Sequence, residues 1–334
     1  MICDPQDQIG NRGTKQMTVR LVYDLPETVK CELDWLQYLL RDFNVQPIFD
    51  REHRVVDDNV ILAASCSSPG QAALVRQHLQ AFKRCGLKVG LFHLSDEYGF
   101  TPVDIYDHAD FVFRNYYRRN ALRRPNCRYF ALGYQSGFTQ SLTHKPIAQR
   151  RYTWSFAGQL KSNRASMLEQ ANTVPGGYYR LTTKWNDPDG LDITQYAALL
   201  SDTVFALCPR GSKSVDCFRV YEALEAGAIP IVEDRSTTGS ILDILRPGGM
   251  QLISTLHPRD LWPNLKTHGL ASYWTAAYGS DFPCPRLSHW QNLSALIKSH
   301  DSGKKSLKIQ QWWQAYKSNL AQVISTMVKQ TFPN

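Results

Sequence analysis

The sequence predicts an α/β protein of two domains, each a parallel sheet flanked by helices, and three observations carry that prediction. Short apolar runs with the length and β-branched content of buried strands alternate with amphipathic segments, and such alternation builds a parallel sheet covered on both faces. The 334 residues suffice for two ordinary cores. Residues 205–234 (FALCPRGSKSVDCFRVYEALEAGAIPIVED) place strand, loop, helix and strand in one unbroken run, the βαβ unit from which such sheets are assembled.

Composition narrows the class. Hydrophobic residues at 43% and charged residues at 20% describe a folded globular chain, not a disordered one. The net charge of +8 suits acidic ligands or an anionic membrane surface. The eight cysteines include no CxxC and no histidine pair at ligand spacing, which argues against a zinc site. No apolar stretch approaches membrane-span length and residues 1–20 lack a signal-peptide core, so a cytoplasmic protein is expected, with peripheral membrane contact left open by the charge.

Residues 1–16 read as a disordered tail. The first domain is placed at 17–140, with strands over 18–23, 60–65, 88–94, 111–114 and 128–131. Its helices are placed over 33–40 and 71–84, the second stopped by Gly86. Asp96 and Glu97 follow the 88–94 strand directly, at the carboxyl edge where open α/β sheets place function. Either could take a hydroxyl proton as general base, although helix capping or pairing with arginine explains such carboxylates equally well. His93, inside the strand, reads as packed. Residues 114–124 (RNYYRRNALRR) interleave arginine with aromatics as single-strand binders do, but no RNP, KH or zinc pattern accompanies them, and nucleic acid is not the expected partner.

Polar sequence with Gly and Pro ends the first domain, and the linker is placed at 141–150. The second domain is placed at 151–305. A strand over 152–157 leads into Gly158 and a helix opening that carries Lys161 and Arg164, a combination suited to a phosphate. Asp187-Pro188-Asp189-Gly190 has the spacing of a metal-binding DxD, but Pro and Gly there are turn chemistry, and Asp192 caps a helix over 193–200. A helix over 237–245, a strand at 252–253 and a short helix over 260–265 follow. Tyr273, Trp274 and Tyr278 fall in a segment that no pattern assigns. Helices close the chain at 290–298 and 307–329. In the latter Ile309, Trp312, Trp313, Tyr316, Leu320, Val323 and Met327 recur at helical spacing as a core stripe.

The 205–234 run carries the chemistry. Its strand over 204–208 ends at Pro209, Arg210 and Gly211. Asp216 is expected to cap a helix over 217–226, Gly227 to terminate it, and a strand over 229–232 to follow. Arg219 and Glu222, three apart, share one helix face. Arg210, Lys213 and Arg219 can converge on a diphosphate with loop amides helping, while a carboxylate one turn along can accept from two adjacent sugar hydroxyls. The plain alternative is a surface ion pair worth about 0.3 kcal/mol. Glu225 and Glu233 are separated by seven residues, as in a known two-glutamate pattern, but they span a helix end and a strand and are set aside.

Cys208-Pro209-Arg210-Gly211, Cys217-Phe218-Arg219, Glu222-Ala223-Leu224, Gly227 and Ile229-Pro230-Ile231 together resemble the signature of exostosin-type (GT47-like) glycosyltransferases. Cys217 stands where serine is usual, and Ala228 where cysteine is. The resemblance implies a GT-B fold: two Rossmann-like domains facing across a cleft, with a last helix over 306–330 crossing back to the first domain. It implies acceptor and base on the first domain and a nucleotide sugar on the second, with Glu222 on the donor ribose and Arg219 near the phosphates. Lys161, Arg164, Arg210, Gly211, Lys213, Ser214 and Asp216 complete the expected donor site. The implied reaction is inverting transfer from a UDP-sugar to a glycan or lipid-linked saccharide, with Asp96 or Glu97 as base and no cofactor or essential metal. The alternatives are a non-catalytic nucleotide-sugar-binding module and a basic protein of nucleic-acid or membrane surfaces.

Overall fold

The computed structural model describes residues 16–23, 26–49, 59–161, 163–184, 187–234 and 272–332. The expected tail apart from Gln16, and the elements placed at 237–245, 252–253 and 260–265, lie outside the described residues. The first sheet is built from β1 (Thr18–Tyr23), β2 (Asn44–Phe49), β3 (Val60–Ser65), β4 (Val89–Leu94), β5 (Phe111–Arg114) and β6 (Cys127–Tyr129). Its order is β2-β1-β3-β4-β5-β6, with every pair parallel. Helices α1 (Pro26–Leu39) and α2 (Pro69–Arg84) supply crossovers. β3 and β4 are buried at every position, as strands covered on both faces must be.

The second sheet comprises β7 (Tyr152–Gln159), β8 (Gly177–Thr182), β9 (Thr203–Cys208), β10 (Ile229–Glu233) and β11 (Arg286–Leu287). Its order is β11-β10-β9-β7-β8, again all parallel. α3 (Arg164–Ala171), α4 (Ile193–Ser201) and α5 (Phe218–Glu225) connect its strands. α6 (Tyr273–Tyr278), α7 (Leu293–Ser299) and the long α8 (Ser302–Thr331) complete the chain. Between the sheets, 3-10 turns occupy Thr139–Ser141 and Ile147–Gln149.

Local chemistry accounts for most boundaries. Ser68 accepts from the Gln71 amide and Pro69 opens α2, which starts the helix two residues before its apolar periodicity does. Asp192 and Gln195 form a reciprocal capping box on α4. α5 ends in a Schellman arrangement: Gly227 has φ +69, and the Ala228 amide reaches the Ala223 carbonyl at 2.9 Å. The strands missed by periodicity are edge strands. β2 contains Pro47 and exposes most of its side chains, and β8 has no buried position, so neither needs an apolar run.

α8 bridges the domains. Trp313 is buried and stacks on Trp35 of α1 at 5.8 Å while lying 5.6 Å from Tyr221 of α5. The Ala131 amide donates to Tyr316 Oη at 3.0 Å, and Phe332 meets Phe111. Of the expected apolar stripe Ile309, Trp313 and Leu320 are buried, whereas Val323 is exposed and Ile324 and Val328 take the core positions instead. Among the described residues no helix is long and apolar enough to cross a membrane.

Gly177 illustrates how tightly the second sheet is packed. A Cβ there would stand 2.0 Å from Trp154 Cε2, and that indole is held by a 2.8 Å bond from Nε1 to the Val174 carbonyl. Gly177→Ala is therefore expected to cost about 1–3 kcal/mol by overpacking, read as a lower midpoint in urea unfolding.

Candidate active site

A cavity of about 520 Å³ opens between the carboxyl edges of the two sheets. It sits beside the point where strand order in the second sheet reverses, between β7 and β9, where open α/β sheets hold ligands. The size is that of a small-molecule site. Lys161, Arg164, Arg219 and Glu222 line it from the second domain, and Glu97, Leu132 and Gln135 from the first.

α5 places Arg219 and Glu222 on this wall while Val220 and Leu224 are buried beneath. The Arg219 guanidinium donates to the Pro209 carbonyl at 3.3 Å and lies 5.7 Å from the Phe156 ring centroid. Arg164 lies 5.8 Å from the same ring and donates to the carbonyls of Gln159 and Arg210, both at 2.7 Å. Burial and the neighbouring Arg219 charge push the Arg164 pKa down to about 10. Lys161 donates to Ser212 Oγ at 2.8 Å, and burial together with Arg164 lowers its pKa. The Nε atoms of Arg164, Arg210 and Arg219 are buried without a hydrogen-bond partner. The Arg219 pKa itself is shifted up, burial being outweighed by Cys217, Tyr196 and other neighbouring groups; a cluster of cations in which Arg164 and Lys161 are lowered and guanidinium donors are left over favours an anion of more than one charge.

Glu222 is 2% exposed. Its Oε1 accepts from the Gln135 amide at 3.4 Å, and the Tyr196 hydroxyl is a second partner. Burial outweighs these bonds and the Arg219 charge, so its pKa rises to about 7.

Asp96 and Glu97 part company. Asp96, 1% exposed, accepts from the amides of Phe100 at 2.7 Å and Thr101 at 3.4 Å and from Arg114 Nη1 at 3.1 Å. It is no part of the cavity wall; it fixes the turn after β4. His93 is buried in the same network, on Tyr106, Arg114 and Thr101, and burial holds its pKa well below the usual histidine range. Arg114 of the basic run is consumed there, and Arg124 pairs with Asp107. Glu97 reaches across the cleft instead, its Oε1 accepting from the amides of Lys213 at 2.6 Å and Ser214 at 2.9 Å.

Other expected residues take different places. Asp216 does not cap α5; Cys217 holds the N-cap position without a side-chain bond. The Asp216 carboxylate, 1% exposed, accepts instead from Tyr221 at 2.6 Å, Tyr273 at 2.7 Å and Tyr129 at 3.1 Å. Burial pushes its pKa up to about 6 against those bonds. Tyr278 bonds Tyr129 and Tyr221, so tyrosines from both domains close around the carboxylate of a residue that lines the cavity. Arg210, Lys213 and Ser214 contribute backbone groups at the rim rather than side chains to the wall. Asp187 is engaged by Thr183 through both its amide and hydroxyl, which hold its carboxyl down at about 2; it is the anchor of a turn. Among the described residues no group of three His, Cys, Asp or Glu side chains is placed to hold a metal ion.

Sequence reasoning missed Arg180 and Lys184 on the wall, with Tyr196 and Gln135. Arg180 sits on the unrecognised edge strand β8, and the Gln135 amide enters from a loop of the other domain, so no local pattern could have marked either.

The family described as RXYLT1 C-terminal domain matches residues 136–260, a span holding β7 to β10. Ribitol-5-phosphate xylosyltransferase 1 of Danio rerio is 32% identical over 97 residues, 27% of this chain and 22% of that protein. Its Homo sapiens counterpart is 26% identical over 144 residues, 41% of this chain and 27% of that protein. The chain thus spans about a quarter of the length of these curated relatives. An α-glucosyltransferase solved with UDP-glucose and DNA containing an abasic site matches at TM-score 0.55 and 10% identity, over 93% of this chain and 99% of that one. Another, solved with UDP and a 13-mer DNA containing a HMU base, matches at TM-score 0.51 and 9% identity, over 94% and 100%. The likeness is one of fold, two parallel-sheet α/β domains in the GT-B arrangement.

Proposed function

We propose that the chain is a glycosyltransferase that takes a sugar from a nucleoside diphosphate donor, UDP being favoured, and passes it to an acceptor hydroxyl with inversion. The observation that carries this reading is α5, which presents Arg219 and Glu222 side by side on a cavity where both Arg219 and the neighbouring Arg164 have a donor to spare. Glu222 is the acceptor for the ribose hydroxyls; Arg219, Arg164 and Lys161 take the diphosphate. The relatives are named for xylose transfer to ribitol 5-phosphate, which favours a polyol or glycan hydroxyl as acceptor. The exostosin-like signature through Arg219 and Glu222 supports the inverting class.

In the transfer, the acceptor oxygen forms a bond to the anomeric carbon as the bond from that carbon to the β-phosphate oxygen breaks. The electron pair leaves with the diphosphate and the acceptor proton passes to the Glu97 carboxylate. Charge develops on the leaving group, where Arg219 and Lys161 stabilise it. Three side-chain cations supply the charge that a divalent ion supplies in other transferases, so we assign a metal-independent reaction.

Melting of the full chain with UDP, GDP and CMP, EDTA present throughout, tests this. One nucleotide at about a hundred times its Kd is expected to add about 2.7 kcal/mol of stability, and Arg219→Ala to lose that gain. No shift with any nucleotide would sink the reading; a shift that needs a divalent ion would remove the metal-independent part.

A further inference from the structure

The carboxylate assigned as base is already bound to the donor loop. Glu97 Oε1 accepts from two successive amides, Lys213 and Ser214, which lie 116 and 117 residues away in the other domain. The Gly211 amide donates to the Ser214 carbonyl at 2.7 Å and closes the loop so that both amides point into the cleft. A Cβ on Gly211 would stand 2.9 Å from Glu97 Oε1. Two adjacent backbone N–H groups converging on one oxygen are a nest, a geometry that accepts phosphate and carboxylate oxygens alike. Lys161, bonded to Ser212 in the middle of this loop, adds positive charge. On the other side, the turn that presents Glu97 is rigid: Asp96 ties it to Phe100, Thr101 and Arg114. Glu97 can therefore leave the nest by rotating its own side chain.

Resting on the proposed nucleotide-sugar reading, we propose that Glu97 is a resident ligand of the Lys213–Ser214 nest, displaced by a phosphate oxygen of the donor and only then able to act as base. A carboxylate oxygen and a phosphate oxygen cannot occupy the same two amides. While the nest holds Glu97 Oε1, the carboxylate is fixed against the donor loop, away from the first-domain side of the cleft. Diphosphate binding takes the nest, sends Glu97 back toward the first-domain side of the cleft and unmasks it. The device imposes an order, donor before acceptor activation.

The test is calorimetric titration of inorganic pyrophosphate into the full chain, its Glu97→Ala and Glu97→Asp variants, and Arg219→Ala. With the internal competitor gone, Glu97→Ala is expected to bind pyrophosphate about tenfold tighter than the parent, equivalent to about 1.4 kcal/mol. Glu97→Asp keeps the charge but is one methylene shorter, and is expected to bind tighter as well. Hydrogen exchange at the Lys213 and Ser214 amides should be slow in the parent, fast in Glu97→Ala, and slow again with pyrophosphate. Equal affinity in the parent and both Glu97 variants overturns the displacement, as does tighter binding by Glu97→Ala with Glu97→Asp at the parental value, which reports a field effect only. If neither the parent nor any variant binds, the nucleotide-sugar reading falls and the displacement with it. Arg219→Ala losing affinity while the Glu97 variants match the parent leaves that reading standing and removes the displacement alone.

Discussion

Glu222→Gln is expected to make the ligand-free protein more stable at pH 8 while weakening the stabilisation that donor nucleotide gives. Burial raises the Glu222 pKa from its ordinary 4.5 to about 7, so the folded chain holds a proton that the unfolded chain has released. Stability then falls as pH rises from 4.5 to 7 and is level above, where the folded protein carries a buried carboxylate at full cost. A shift of this size corresponds to about 3 kcal/mol, and glutamine, uncharged at every pH, avoids it. Asp216, raised to about 6, adds a slope of the same sign between 3.8 and 6 in both proteins, so the difference between parent and variant isolates Glu222. Urea unfolding at pH 5 and pH 8 reads this directly. Parent and variant should be close at pH 5, with the variant ahead by up to about 3 kcal/mol at pH 8. Donor binding should show the opposite face of the same charge. Ribose hydroxyls donate best to the ionised carboxylate, so parental affinity should weaken below pH 7 by as much as about tenfold per pH unit, and the variant's should not vary. Parallel stability curves for the two proteins would mean that Glu222 is not a buried acid.

How much of this was legible in the sequence depends on where each interaction is closed. β1, β3, β5, β9 and β10 announce themselves as apolar runs because a parallel strand in mid-sheet is covered on both faces. The face and the glycine stop of α5 are legible because periodicity and termination are local. The edge strands β2 and β8 were invisible for the complementary reason: with one neighbour and no buried side chain, they need no pattern. At the site, Arg219 and Glu222 could be paired from a spacing of three. That Asp96 is structural and Glu97 spans the cleft could not, since adjacent carboxylates after a strand look alike until their partners are known. Asp216 shows the limit most clearly. Its position just before a helix reads as a cap, yet Tyr129, Tyr221 and Tyr273, drawn from three separate stretches, bury it between domains. Tyr273 of α6, which no pattern could assign, is one of the three, and Tyr278 of the same helix bonds the other two.

Glu225→Ala is expected to cost about 3–5 kcal/mol, the loss seen when one partner of a buried ion pair is removed. Glu225 ends α5, and Lys317 of α8 bonds both its carboxylate oxygens, at 2.7 and 2.9 Å. Their side chains are 8% and 6% exposed. Trp313 Nε1 donates to Oε1 as well, at 2.8 Å. The Lys317 ammonium also lies 5.0 Å from the Tyr38 ring and 5.6 Å from the Trp313 ring, contacts that support a cation but do not replace its counterion. Alanine would leave the ammonium buried without that carboxylate and the indole N–H without its acceptor. The pair itself need not be net favourable, because two charges were desolvated to form it. Glu225→Gln combined with Lys317→Met keeps an acceptor for Trp313 and removes both charges, and is expected to lie within about 1 kcal/mol of the parent. The cycle of single and double variants in urea unfolding therefore separates an ion pair that specifies how α8 docks from one that supplies stability. Because α8 fastens α1 of the first domain to α5 of the second through Trp35, Trp313 and Tyr221, the single variant should also loosen the helix that presents Arg219 and Glu222. Nucleotide affinity should fall with stability in Glu225→Ala and recover with it in the double variant. Affinity that stays at the parental value while stability drops would show that α5 is held by its own sheet and that α8 serves the domain junction alone.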